Sequence, residues 1–195
     1  MFSNLNNTLI LSLDVESMGL YGTPFSYGYV LANLDGKVLE ERYVFSSKSL
    51  SDAIELVSIS DFTQEAKSYS WVFENVLMVA NQPNSDDNII NCFVEDYLTI
   101  LDKYNNYSIY LLADHPYPVE TNFLNSVLLN INSNVDIDIM KYSPYPLLDL
   151  ANLRMSRGLE PEFERLDNEL PKHHPLMDAR QTLRGFLNLV NGINN

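Results

Sequence analysis

The sequence predicts an α/β layered domain with a mixed sheet, and three observations carry that expectation. Three strand-like segments joined by short links open the chain and read as an antiparallel meander. A further buried-strand run, Ser108-Ile109-Tyr110-Leu111-Leu112-Ala113, stands between segments with helical apolar spacing. The resulting order is three strands, helices, strand, helix, strand, helices, the pattern of a sheet covered by helices.

Residues 8–15 are rich in Ile, Leu and Val and read as a buried strand. Phe25 to Leu34 and Lys37 to Phe45 form a hairpin around Asn33-Leu34-Asp35-Gly36, where Asp-Gly supplies the turn. Helices are expected near 50–56 and 64–79, with Trp71 and Phe73 packed in the core. Another runs from Asn88 to Tyr104, with Ile89, Ile90, Phe93, Val94, Tyr97, Leu98 and Leu101 on one stripe. Between them, Asn81-Gln82-Pro83-Asn84-Ser85-Asp86-Asp87 is a loop. The 108–113 strand leads to a helix from Val119 to Leu129 and a short alternating strand from Asp136 to Met140. A helix from Leu147 to Gly158 then closes on glycine. A mixed-charge loop reaches Pro171, and the final helix runs from Pro175 to Val190 with proline in its first turn.

With 195 residues and 46% hydrophobic content, the chain reads as a single domain, 1–195, with a core over about 8–190. No apolar run approaches the ~20 residues a membrane helix needs. The N-terminus lacks the basic and apolar regions of a signal peptide. The single cysteine, Cys92, lies in an apolar helical pattern and reads as a buried thiol, which together suggests a cytoplasmic setting. A net charge of −14 weighs against nucleic acid as a partner, but it is unevenly spread. Residues 1–140 hold 5 Lys and Arg against 19 Asp and Glu, whereas residues 141–195 hold 7 against 7. Any phosphate-contacting patch is therefore expected from Lys141, Arg154, Arg157, Lys172, Arg180 and Arg184, unless these are ordinary solvated helix faces.

Three clusters carry chemistry. In Leu13-Asp14-Val15-Glu16-Ser17-Met18-Gly19-Leu20, the i, i+2 spacing puts Asp14 and Glu16 on one face of a strand. Two same-face anions repel, and a divalent cation turns that liability into a site; a solvated edge strand is the alternative. The second cluster holds Asp114 at a strand end and Glu120 in the first turn of the next helix. Asp114 fits a metal ligand or a turn former, and Glu120 a metal ligand or a helix-dipole acid. In Lys172-His173-His174-Pro175-Leu176-Met177-Asp178-Ala179-Arg180, an imidazole stands at the entry of the last helix and a carboxylate inside it. Zinc held by His173 and His174 is a weaker option, because a third partner is lacking.

Taken together, these clusters resemble the DEDDh 3′–5′ exonucleases, which include ribonuclease T, oligoribonuclease and the proofreading subunit of bacterial DNA polymerase III. Asp14-Val15-Glu16-Ser17-Met18-Gly19-Leu20 is similar to the family's D-x-E-T-x-G-L, and His173 to Ala179 to its H-x-x-x-x-D-A. The middle motif departs, with Glu120-Thr121-Asn122-Phe123-Leu124 giving glutamate where aspartate is usual. Aligning the helix favours Glu120 as the ligand, with Asp114 as its rival. The resemblance implies a ribonuclease H-like fold, a five-stranded mixed sheet with its first three strands antiparallel and helices on both faces. It implies two divalent cations, Mg²⁺ or Mn²⁺, held by Asp14, Glu16, Asp178 and Glu120 or Asp114, with His173 as general base. Met18 and Leu20 match positions that wedge against terminal bases, with an ordinary core contact the alternative for Leu20, and Arg180 is a candidate either for contacting phosphate or for balancing nearby acids. The implied substrates are 3′ ends of single-stranded RNA or DNA, short and with RNA favoured, and a homodimer is a further expectation. The alternative function is a non-catalytic nucleic-acid or protein-binding module that keeps the fold.

Overall fold

The computed structural model describes residues 7–59, 65–80, 82–134 and 142–192. Its elements are β1 (Thr8–Ser17), β2 (Pro24–Asn33), β3 (Val38–Phe45), α1 (Ser47–Ile59), α2 (Glu65–Val72), α3 (Ile89–Lys103), β4 (Ser108–Ala113), α4 (Val119–Asn134), β5 (Leu147–Asp149), α5 (Leu150–Met155) and α6 (Pro175–Val190). A π-helical turn, Phe73–Leu77, continues α2, and a 3₁₀ turn, Asp167–Glu169, interrupts the loop before α6. The strands form one mixed sheet in the order β3-β2-β1-β4-β5. β1 runs antiparallel to β2 and parallel to β4, and β5 is parallel to β4. The α/β class, a five-stranded mixed sheet and the antiparallel opening meander agree with the expectation, although the fifth strand, Leu147–Asp149, falls where the sequence reading has a helix. Among the described residues, no helix is long and apolar enough to cross a membrane.

Strand alternation divides the core. Leu9, Leu11, Leu13 and Val15 face α3 and α4, in a cluster with Tyr27, Phe93, Phe123 and Val127. Ile10 faces the other way and joins Val30, Leu112, Ala179, Leu183 and Phe186 under α6. Ser12 shares that second face, and its hydroxyl donates to the Ala179 carbonyl at 2.8 Å, fastening α6 to β1. Asp14 and Glu16 continue the same parity, so both carboxylates point to the side where α6 lies. Gly28, paired with Asp14 across the β1–β2 ladder, lets the helix come close. A Cβ there would stand 2.2 Å from the Leu176 amide nitrogen.

Several sequence expectations are corrected. Trp71 and Phe73 are not core residues; they are 47% and 43% exposed, while Val72 and Val76 supply the buried side of that helix. The helix expected from Leu147 starts at Leu150, because Leu147–Asp149 pair with Leu111–Ala113 as β5. Asp149 then caps α5 by accepting from the Asn152 amide at 3.0 Å. Cys92 is buried on α3 as expected. The strand expected at Asp136 to Met140, and Lys141, lie outside the described residues.

Candidate metal centre

Strand β1 pairs with β4 only over Thr8–Ser12 and continues to Ser17 along β2 alone. Asp14 and Glu16 therefore sit on the part of β1 that projects beyond β4, at the carboxyl ends of the parallel strands, where ligands gather in open sheets. The projection leaves a backbone donor on the β4 side, and Glu120, from the first turn of α4, fills that role. Its Oε1 accepts the Val15 amide at 3.2 Å. α6 brings the third part. His173 adopts a left-handed backbone, φ 62°, and its amide donates to Asp178 Oδ2 at 3.0 Å. His173 Nδ1 then lies 3.9 Å from Glu16 Oε1. Glu16, His173 and Asp178 each present a ligand atom within 4.8 Å of the others.

The electrostatics are those of anions crowded in low dielectric. Burial holds the Asp14 carboxyl well above its ordinary range, and the charges of Asp178, Glu16 and Glu120 push it further. Burial raises Glu16 well above its range too, with Asp178 and Glu120 adding to it. Burial lifts Glu120 to about 8, against the backbone amides that bind its charged form. Asp178 is raised by burial, opposed by Arg165, whose Nη1 is 2.6 Å from Asp178 Oδ1. His173 is lowered by burial, which favours the neutral imidazole able to accept a proton. Asp14 Oδ2 is buried without a hydrogen-bond partner among the described residues. An orphaned anionic oxygen among other carboxylates fits a divalent-cation ligand.

Asp14, Glu16, Glu120, His173 and Asp178 are thus brought together. Asp114 stands beside the cluster: its Oδ1 lies 3.2 Å from His115 Nδ1, and its charge helps to raise Glu120. His174 packs against Tyr43, with ring centroids 4.4 Å apart, and is not among the residues whose ligand atoms converge. Leu20 is 62% exposed and lines a cleft of about 280 Å³ with Glu16, Gly19, Trp71 and Val119. Met18, 1% exposed, packs with Phe25 and Phe45, so the wedge role expected of it has no exposed side chain to perform it. Arg180 is bound to Glu41, its Nη2 2.6 Å from Oε1, and stands outside the cluster.

The basic patch expected from the last third of the chain is largely committed to other contacts. Arg184 pairs with Glu169, while Arg154 and Arg157 donate to the carbonyls of Glu160 and Leu189. Lys172 instead lines a second cavity, of about 380 Å³, shared with Asp114, Arg165 and His173. Two site residues escaped the sequence reading. Arg165 lies in a mixed-charge loop with no motif of its own. Trp71 lines the same cleft as Leu20 and meets the His173 ring edge-on, centroids 4.9 Å apart. Neither protein-family models nor curated proteins yield a match to this chain.

Proposed function

We propose that this chain is a metal-dependent 3′–5′ exonuclease of ribonuclease H-like fold, acting on 3′ ends of short single-stranded RNA or DNA, with RNA favoured. The observation that carries the reading is the convergence of Asp14 and Glu16 from β1, Glu120 from α4, and Asp178 with His173 from the start of α6. Acids so enclosed are costly to the fold, and a phosphodiester hydrolase gives them a use.

Asp14, Glu16, Glu120 and Asp178 would hold two divalent cations, Mg²⁺ or Mn²⁺. When bound, such cations supply charge neutralisation at the scissile phosphate and ease deprotonation of an attacking water. His173, kept neutral by burial, accepts that proton as the water oxygen attacks phosphorus. The phosphorus–O3′ bond breaks, the 3′ oxygen is protonated from solvent, and a nucleoside 5′-monophosphate leaves. The cleft lined by Leu20 and Trp71 is apolar, exposed and adjacent to Glu16, which suits a terminal base stacked on the indole. An acidic chain with few uncommitted cations suits short, flexible ends better than long duplexes.

The test is release of mononucleotides from 3′-tailed, labelled RNA and DNA oligomers with Mg²⁺ or Mn²⁺, with products sized. Asp14→Ala and Asp178→Ala are expected to lower turnover by about 10³-fold or more. Undiminished turnover in either folded variant removes the proposed site. One observation favours a second reading, a non-catalytic nucleic-acid or protein-binding module. The Arg165–Asp178 pair neutralises part of the acidic cluster from within, as a domain that had no use for metal would need. Such a module would neither release mononucleotides nor bind Mn²⁺.

A further inference from the structure

Asp178 holds a hydrogen bond on one oxygen and an ion pair, out of hydrogen-bond alignment, on the other. Oδ2 accepts the His173 amide at 3.0 Å, and Oδ1 meets Arg165 Nη1 at 2.6 Å. The arginine is held in place by its surroundings. Its Nη1 also donates to the Glu169 carbonyl at 2.8 Å, and Glu169 closes the loop by accepting the Leu166 amide at 2.9 Å. Arg184 on α6 grips the Glu169 carboxylate at 2.5 and 2.9 Å. Phe163 docks the same loop on Gly185, where a Cβ would lie 2.4 Å from the phenyl Cζ. With 15% of its side chain exposed, Arg165 is delivered to the acid by a built scaffold, unlike a surface arginine that meets a carboxylate by chance.

We propose that Arg165 is a resident counter-cation of the acidic centre, which holds Asp178 against its neighbouring carboxylates and yields that oxygen to an arriving divalent cation. It thereby sets the affinity of the site for metal. The inference rests on the metal-centre reading given above. A guanidinium and a divalent ion cannot share one carboxylate oxygen without strong repulsion, so binding carries the cost of moving the arginine. The route is open. The cavity of about 380 Å³ has Arg165 in its own wall, with Glu162 and Glu164 beside it to receive the displaced charge.

The experiment is a calorimetric titration of the full chain with Mn²⁺, comparing the wild type with Arg165→Gln and Arg157→Gln. Arg165→Gln is expected to bind Mn²⁺ about tenfold more tightly. Arg157→Gln removes an equal charge, from an arginine that donates to the Leu189 carbonyl, and is expected to bind as the wild type does. Wild-type binding with no gain in folded Arg165→Gln, or an equal gain in Arg157→Gln, overturns the proposal and leaves the metal centre standing. Absence of Mn²⁺ binding in all three removes both. Should Arg165→Gln fail to fold, the wild type supplies the answer through phenylglyoxal modification located by peptide mass spectrometry. Reactivity at Arg165 is expected to rise several-fold as Mn²⁺ saturates the site, and unchanged reactivity overturns the proposal.

Discussion

Asp14 Oδ2 is a buried carboxylate oxygen that no donor among the described residues satisfies, and Glu120 is lifted to about 8 by burial. Side chains of this kind weaken the domain that carries them, so removing the charge should strengthen it. Asp14→Asn is expected to abolish turnover yet stabilise the chain in EDTA by about 1–2 kcal/mol, roughly 2–8 °C in Tm for a domain of this size. Differential scanning calorimetry checks the second half, and a lowered Tm would mean that Asp14 is satisfied structurally. The pH dependence has a fixed sign. Glu120 goes from an ordinary 4.5 in the unfolded chain to about 8 in the fold, so between those values the folded state binds more protons. Stability in EDTA should be highest below about 4.5 as far as this group is concerned, and should fall as pH rises toward about 8. Asp14 and Glu16, also raised, act in the same direction. Saturating Mn²⁺ should flatten that fall, so the metal-induced gain in Tm should be larger at pH 8 than at pH 5.5. A gain that is equal at the two values would separate these acids from metal binding.

At the scale of elements, the site depends on how closely α6 lies on the sheet. Gly28→Ala would set a methyl 2.2 Å from the Leu176 nitrogen, and neither strand nor helix backbone can yield without moving Asp178 and His173 away from β1. The expected outcome is a loss of about 1–3 kcal/mol in stability, measured by urea unfolding, together with weaker Mn²⁺ binding. Trp71→Ala is expected to behave differently. Its ring is about half exposed, so stability should change little, while KM for an oligonucleotide should rise by about 5-fold or more and Mn²⁺ affinity should hold. Much of this layout was legible because its signals are local. The Ile and Leu run of β1, the Asp35-Gly36 turn and Pro175 at the entry of α6 each state their structure within a few residues. The i, i+2 spacing of Asp14 and Glu16 was legible for the same reason. What failed needed partners distant in sequence. Leu147 and Leu148 fit a helical stripe until β4 claims them as a strand. Trp71 resembled core because large aromatics usually are, and Met18 owes its expected wedge role to its place in the motif alone, whereas the fold buries it. Arg165 had no local signal, since its meaning comes only from Asp178 across the loop.

For the molecule as a whole, the excess of negative charge should govern how nucleic acid is met. Arg42, Arg180 and Arg184 are paired with acids, and Lys172 lines the cavity next to His173. Few phosphates can then be neutralised, and the slope of log Kd against log salt for a single-stranded oligomer is expected to be about 1–2 in magnitude. Fluorescence anisotropy over a salt series measures it, and a slope of about 4 or more would reveal a cationic surface elsewhere in the chain. The sheet's two outer strands bear on self-association. β3 is outermost on one side and carries Glu40, Glu41 and Arg42, all drawn into ion pairs, while β5 on the other has only three residues. A charged margin and a stub are poor templates for lateral growth of the sheet. Two copies of this chain that do associate should therefore meet through helical faces, leaving each acidic centre in its own subunit and the amide protection of β3 unaltered by dilution.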